Sequence, residues 1–223
     1  MSRIILMAIM LAVTVAGCNR FPDLTIQVTA NLLPDEGDCS ITAEQEAILL
    51  RGLYDFSAPP FDYFLTPRIE SYLFDNSLET QAPQTNFQVT GFNVTIKLPD
   101  GSIPEFASGL PNPYFVTSSA VIPPSTELGG VSSGAAAAPV IPVAYRAALE
   151  GLRGTSGFDS IVIDVRATGS TSGGFTQTSP PFSWPIDFCD LCLAAICAAP
   201  DEAGCFPGQD GWSYCVSIEP PTP

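Results

Sequence analysis

Residues 160–168 read Ser-Ile-Val-Ile-Asp-Val-Arg-Ala-Thr and form the clearest strand pattern in the chain. Ile161, Ile163 and Val165 fall on one face of this segment, whereas Asp164 and Arg166 fall on the other. Alternation with a period of two is typical of a strand that has one face in a core and the other in solvent. The segment therefore predicts a half-buried β-strand.

Similar alternation occurs in further segments on both sides of this strand, namely residues 24–31, 62–75, 87–98, 114–122 and 182–188. In the third of these segments the apolar phase shifts at Gly91, which predicts a β-bulge. In the second, Pro67 interrupts the pattern and predicts an edge position or a bulge, because proline has no N–H to donate to a strand ladder.

The connecting segments are less regular. Residues 125–139 consist mostly of small residues and predict a flexible surface loop. Pro142 is suited to the first turn of a short helix that ends at Leu152 or Arg153. Residues 42–50 leave two alternatives open: a capping-box pattern favours a short helix, and an extended segment is the rival.

Six or seven short strands, 22 prolines, 18 glycines and few helical patterns predict a mainly β fold. We expect an immunoglobulin-like two-sheet sandwich over residues 24–188, because strands of this length and spacing are typical of it. Residues 189–223 differ in character, and we expect them to form a disulfide-rich C-terminal tail packed on this domain.

The N-terminus has the order of a secretory signal, in which a positive charge precedes a short apolar stretch and small residues. The stretch is shorter than the roughly 20 apolar residues of a spanning helix. Val15-Ala16-Gly17-Cys18 resembles the lipobox of bacterial lipoproteins. The resemblance implies removal of residues 1–17, acylation of Cys18, and a lipidated tether over residues 18–23. Asn19, where aspartate would retain the protein at the inner membrane, favours the outer membrane.

Once Cys18 is assigned to lipid, an even set of six cysteines remains, which in an exported chain predicts up to three disulfides of unknown pairing: Cys39, Cys189, Cys192, Cys197, Cys205 and Cys215. Five of them lie in the tail, so at least one must pair outside it or stay unpaired, and we expect Cys39 to join the tail to the body. A redox pair at Cys189 and Cys192 and a zinc site are weaker alternatives, because the chain lacks the helical context and the second ligand pair that they require.

The mature chain also resembles a set of uncharacterised lipoproteins from myxobacteria and their relatives. The residues that carry this resemblance are Cys39, 52–55, Tyr72, 76–78, 91–98, 169–174, 182–192, 205–210 and Cys215. The tail is its most specific part, although Leu191 stands where glycine is commoner. The resemblance implies the same fold and export, supplies no activity, and favours the extended alternative for residues 42–50.

Composition excludes several classes of function. The net charge of −15, from 23 acidic and 8 basic residues, excludes nucleic acid as a partner. The chain contains no histidine, which removes Ser-His-Asp and Cys-His catalysis and histidine metal sites. Carboxylates at Asp35, Glu36 and Asp38, or at Asp187 and Asp190, lack the spacing of a calcium loop. We therefore expect no catalytic residue, no metal and no cofactor.

These observations predict a non-catalytic lipoprotein of the cell envelope, held in the bilayer through its acylated N-terminus. Its expected role is structural or one of contact with another envelope protein. The alternative is a module that binds a glycan or a small apolar molecule. An exposed aromatic platform would favour that alternative, and its candidate residues are Tyr63, Phe64, Trp212 and Tyr214.

Overall fold

The computed structural model describes residues 25–35, 38–46, 48–74, 86–106, 108–195 and 205–216. The predicted signal and tether, with Cys18, lie outside the described residues, as does Cys197. The described chain is mainly β, as predicted, with one short α-helix. No helix in the described ranges is long and apolar enough to cross a membrane.

The strands, in chain order, are β1 (Ile26–Leu32), β2 (Ile48–Leu49), β3 (Gly52–Asp55), β4 (Tyr63–Leu65), β5 (Pro67–Ser71), β6 (Phe87–Lys97), β7 (Tyr114–Ile122), β8 (Ser132–Ala135), β9 (Ala138–Ile141), β10 (Ser160–Thr171), β11 (Thr176–Thr178), β12 (Phe182–Cys189), β13 (Ala194–Ala195) and β14 (Tyr214–Cys215). A 3-10 turn at Val143–Tyr145 leads into the helix α1, Arg146–Ser156.

Two sheets carry most of the strands. The smaller sheet has the order β2-β1-β5-β8, and the larger has the order β3-β12-β10-β6-β7, with β11 beside β10. Neighbouring strands in both sheets are antiparallel except β12 and β3, which are parallel. The remaining short strands pair as β4 with β9 and β13 with β14.

The two sheets share one hydrophobic core. Val28 and Ile69 of the smaller sheet belong to the same buried cluster as Ile163, Val165 and Trp184 of the larger one. Along β10 buried and more exposed positions alternate over nearly the whole strand. The strand predicted from residues 160–168 is therefore confirmed, and the pairing with β6 and β12 shows why its apolar face is continuous: it lies at the centre of the larger sheet.

The predicted bulge at Gly91 is confirmed. The register between β6 and β7 shifts between Val89 and Gly91. A Cβ at position 91 would collide with the main-chain oxygen of Val116 and with the ring of Phe115. Glycine is needed here because the two strands approach too closely for a side chain.

The prediction for residues 125–139 is wrong, and the prediction for Pro67 holds only in part. Residues 125–139 are not a flexible loop, because β8 and the start of β9 lie within them. Pro67 does not mark an edge strand, because it is the first residue of β5, which lies between β1 and β8. The bulge alternative fits better, since the register between β1 and β5 shifts close to Pro67, between Val28 and Ala30. Proline is tolerated at the first residue of a strand because the ladder there can dispense with one N–H.

Residues 42–50 form no helix where they are described, which agrees with the extended alternative. The Thr42 N–H donates to Gln45 Oε1 at 3.0 Å, so the capping contact forms, but it closes a turn that is followed by β2. The helix after Pro142 is confirmed and runs slightly beyond its predicted end. It stops at Gly157, which has a φ of 71° and donates its N–H to Arg153.

Candidate functional site

The described part of the C-terminal tail comprises residues 189–195 and 205–216, and the second of these segments covers one edge of the larger sheet. β3 is the edge strand, and its outer side pairs with the tail: the Asp210 N–H donates to Leu53 O at 3.2 Å, and the Asp55 N–H donates to Gly208 O at 3.0 Å. An uncovered edge strand can pair with another chain, and a bonded segment prevents this. The tail therefore acts as a further strand-like cover of the sheet.

Asp210 lies at the centre of a buried polar cluster under the tail. Its Oδ1 accepts hydrogen bonds from the Tyr63 hydroxyl at 2.6 Å and from the Leu53 N–H at 3.0 Å. The Trp184 Nε1–H donates to the Tyr63 hydroxyl oxygen at 3.1 Å. Burial raises the pKa of Tyr63 well above its ordinary value, so that the phenol keeps the proton that it donates to Asp210.

The neighbouring Gln209 fastens the tail to β4. Its Nε2 donates to Phe64 O and its Oε1 accepts from the Phe64 N–H, both at 2.8 Å. The Phe64 ring also stacks on Phe206, with 5.2 Å between the ring centroids. Gln209 itself is buried. Both main-chain groups of one strand residue are thus satisfied by a tail side chain, which specifies the position of the tail on the body.

Asp55 fixes the loop that carries Cys189 and Cys192. It is fully buried. Its Oδ1 accepts from the N–H groups of Ser57 at 2.8 Å and Leu191 at 3.0 Å, and its Oδ2 accepts from the Leu193 N–H at 2.9 Å. A buried carboxylate of this kind is stabilised by its donors, and its removal would leave them without an acceptor. The sequence placed Asp55 only within the stretch 52–55 of the resemblance and gave it no role.

The structure brings the predicted cysteines together around the tail. Cys39 and Cys205, 166 positions apart, have a Cα–Cα distance of 5.5 Å and sulfur atoms at bonding distance. Cys189 and Cys192 have a Cα–Cα distance of 5.9 Å and are likewise at bonding distance. Both separations fall in the range usual for disulfides. Cys215 is also in a disulfide, and Cys197 lies outside the described residues.

Asp55, Cys189 and Cys192 form the one trio of metal-type ligand atoms among the described residues, within 4.8 Å of one another. The chemistry of the trio fits a structural role better than a metal site. Sulfur atoms bonded to each other cannot act as thiolate ligands. Both oxygens of Asp55 already accept main-chain N–H groups.

The carboxylates considered from the sequence are engaged in local contacts. Asp187 pairs with Arg51 at 2.8 Å, and Asp190 pairs with Arg153 at 2.7 Å. Asp38 accepts from the Ser40 N–H at 2.9 Å, while Glu36 lies outside the described residues. Asp187 and Asp190 are each held by a different arginine, so they do not form a facing acid–base pair.

The four aromatic residues proposed as a binding platform do not form one. Tyr63 and Tyr214 are buried, and Trp212 is half-buried. Phe64 is half-buried and lies against Phe206. The glycan alternative rested on exposure of these rings, so it loses the observation that supported it.

Two surface hollows occur elsewhere in the described chain. One, of about 560 Å³, is open and acidic, with Glu44, Glu46 and Glu70 around Arg68. The other, of about 390 Å³, is mostly apolar and lies between α1 and the segment around Phe106. Neither hollow adjoins the Asp210 cluster or the loop that carries Cys189 and Cys192.

The Asp210 cluster predicts a pH dependence of stability. Burial raises the pKa of Asp210 to about 6, against an ordinary value of 3.8. The folded state then holds a proton that the unfolded state releases between these values, so the contribution of Asp210 is full below about pH 4 and is lost as the pH rises through 6. The loss amounts to at most about 3 kcal/mol.

Urea unfolding of the protein and of Asp210→Asn at pH 4, 5, 6 and 7 measures this contribution, because the other titrating groups cancel in the difference. We expect the variant to gain stability relative to the unmodified protein as the pH rises. A difference that stays constant over this range would show that the Asp210 carboxyl titrates normally.

The chain matches no protein-family model, and no curated protein matches it at a significant level. Neither comparison therefore bears on the resemblance to myxobacterial lipoproteins. The function has to be argued from the residues themselves.

Proposed function

We propose that this protein is a lipid-anchored lipoprotein of the bacterial cell envelope with a structural or protein-contact role and no catalysis. Its outer-membrane location and its kinship with the myxobacterial lipoproteins belong to the same proposal. The observation that carries it is Cys18 at the end of a signal-like segment, directly after Val15-Ala16-Gly17. Thioether and amide-linked acyl chains together anchor stably, where one chain gives only reversible binding.

The cysteines support export. The two pairs at bonding distance, Cys39 with Cys205 and Cys189 with Cys192, are typical of an oxidising compartment. A cytosolic protein would keep such thiols reduced. The lipid assignment of Cys18 also explains why the total of 7 cysteines is odd.

The architecture of the domain supports the structural or protein-contact role. We propose that the two sheets with a shared core form an immunoglobulin-like sandwich, in which the parallel pairing of β3 with β12 and the helix α1 are departures from the usual pattern. The buried polar groups between tail and body are used in bonds across that contact: Gln209 and Asp210 of the tail bond to β4 and β3, and Asp55 of β3 accepts from the Leu191 N–H of the tail. Such a domain suits display or contact at a surface.

Cys18→Ser tests the anchor. We expect the variant to leave the membrane fraction, and the unmodified protein to yield an N-terminal peptide that begins at Cys18 and carries acyl mass. The matched control is Asn19→Ser, which changes the adjacent residue and keeps the thiol, and which should remain in membranes. Membrane retention of Cys18→Ser, or an unacylated Cys18 peptide, would contradict the proposal.

A further inference from the structure

The described chain begins at a defined end of the molecule. Thr25 O accepts from the Tyr72 N–H at 2.9 Å, and Thr25 Oγ1 donates to Gln177 Oε1 at 2.8 Å. Thr25, the first described residue, is therefore fixed between the end of β5 and β11. We call this region the tether end and define it as Thr25 with residues 71–74, 121–132 and 171–177.

The tether end carries most of the large aromatic side chains that are exposed in the described part of the molecule. Tyr72 is 43% exposed, Phe74 37% and Phe175 71%. The fourth, Phe115, lies on β7 outside the tether end. Exposed aliphatic side chains add to the same region, namely Val121, Leu128 and Val131. Single exposed apolar residues are ordinary, but such a concentration marks an interaction surface.

The pairing of the strands brings the segments of the tether end close to one another. Ile26 at the start of β1 pairs with Ser71, and Ser71 pairs with Ser132 at the start of β8. In the larger sheet, Phe87 pairs with both Ile122 and Thr171, so that the end of β7 and the end of β10 meet there. The bridge between Phe74 and Ser125 joins the two groups.

The charge of the tether end suits a lipid surface of zero net charge. Its described residues include one charged side chain, Glu127, and no lysine or arginine. The charged group that borders them is again acidic: Glu70 Oε2 accepts from the Tyr72 hydroxyl at 3.1 Å. Anionic lipids attract basic segments, and nothing here supplies that attraction. Aromatic rings, in contrast, sit favourably at the level of phospholipid headgroups and need no opposite charge.

The length of the tether restricts which end can face the membrane. Cys18 and Thr25 are seven residues apart, so a fully extended chain spans at most about 25 Å. β6 alone, with 11 residues, runs about 33 Å between the two ends of the larger sheet. An inverted molecule, with its far end on the bilayer, would hold Thr25 farther from the lipid than the tether can reach.

We infer that the tether end lies on the bilayer surface and inserts Tyr72, Phe74 and Phe175 among zwitterionic phospholipid headgroups. The inference rests on the proposed acylation of Cys18. Its consequence is an orientation: the cysteine-rich tail, which follows the opposite end of β12, points away from the membrane. The tail and its surroundings are then the surface offered to partners.

Depth-dependent quenching tests the orientation. The purified acylated protein is placed in phosphatidylcholine vesicles with and without lipids brominated near the acyl carbonyl, and tryptophan fluorescence is compared for Phe175→Trp and for the matched control Phe115→Trp. The signal of Trp184 and Trp212, measured on the unmodified protein, is subtracted. We expect the Phe175→Trp signal to lose most of its intensity and the Phe115→Trp signal to lose little.

The outcomes separate this inference from the proposed anchor. A protein that does not float with the vesicles, or whose Cys18 peptide lacks acyl mass, contradicts the anchor. A floating protein in which both variants are quenched equally, or neither is, contradicts the orientation alone. Tyr72→Trp provides a second probe of the same surface, and its quenching should follow that of Phe175→Trp.

Discussion

Replacement of both Cys39 and Cys205 by alanine is expected to lower the free energy of unfolding by about 4–5 kcal/mol. The two residues are 166 positions apart, so the cross-link closes a loop that contains most of the body. Closing so long a loop removes much of the entropy of the unfolded chain. Replacement of both residues leaves no free thiol at either position.

The matched control is the double replacement of Cys189 and Cys192 by alanine. These residues are three positions apart, and the same loop-closure entropy gives a loss of only about 2 kcal/mol. The hydrogen bonds of Asp55 to the Leu191 and Leu193 N–H groups remain in this variant and hold the loop in place.

Urea unfolding at constant pH measures both losses, after thiol counting on the unreduced protein has found no free cysteine. Peptide mapping should recover one linked pair from Cys39 and Cys205 and another from Cys189 and Cys192. Equal losses in the two variants would show that loop length does not govern the contribution of these bonds. Several accessible thiols would instead revive a metal or redox role for the tail.

Gly52→Ala is expected to cost about 3 kcal/mol or more, from overpacking together with loss of buried hydrogen bonds. A Cβ at position 52 would lie inside the contact distance of the Tyr63 hydroxyl and 2.8 Å from Trp184 Nε1. It would also lie 3.0 Å from Asp210 Oδ1. Trp184 and Asp210 both bond to the Tyr63 hydroxyl, so none of the three can move aside without breaking the cluster.

A double-mutant cycle with Tyr63→Phe identifies the cause. Removal of the hydroxyl takes away the atom nearest the new methyl group, so Gly52→Ala should cost less in the Tyr63→Phe background than alone. Gly154→Ala is the control for a glycine in open space, since no atom outside its own helix lies within 4 Å of a Cβ there. It should stabilise the protein by about 0.5–1 kcal/mol, because alanine favours a helix.

Denaturant unfolding of the four proteins of the cycle, with Gly154→Ala beside them, provides the comparison. Additive effects of Gly52→Ala and Tyr63→Phe would contradict the steric explanation. A Gly52→Ala protein as stable as the unmodified one would show that the tail can shift away from β3, and that the Asp210 cluster contributes little.

The long strands could be predicted because their signal is local. In β10 and β12 the apolar residues, such as Ile163 and Trp184, recur at every second position and are buried. The period belongs to the chain itself, and it requires no knowledge of the neighbours. The bulge at Gly91 was equally visible, because a phase change at glycine is a local event.

The short strands could not be predicted in the same way. β8 consists of Ser-Ser-Gly-Ala, which has no apolar period and is typical of a loop. A Cβ at Gly134 would collide with the end of the Ile122 side chain, so glycine lets β8 approach β7 closely at this position. In the sequence, this close approach of a neighbouring strand is visible only as a run of small residues. Such a run is also typical of a flexible loop, and for that reason β8 was not predicted.

The sequence alone supplied the even count of six cysteines and the main strands, and it is the sole basis of the proposed lipid on Cys18 and of the predicted absence of a nucleic-acid partner. Each of these depends on composition or on near neighbours. The tertiary structure alone paired Cys39 with Cys205 and enclosed Asp55 and Asp210 beneath the tail. Polar residues such as Asp210 carry no periodic signal, and their partners are more than 100 positions away. Burial brought these partners together, and burial is a property of the folded chain.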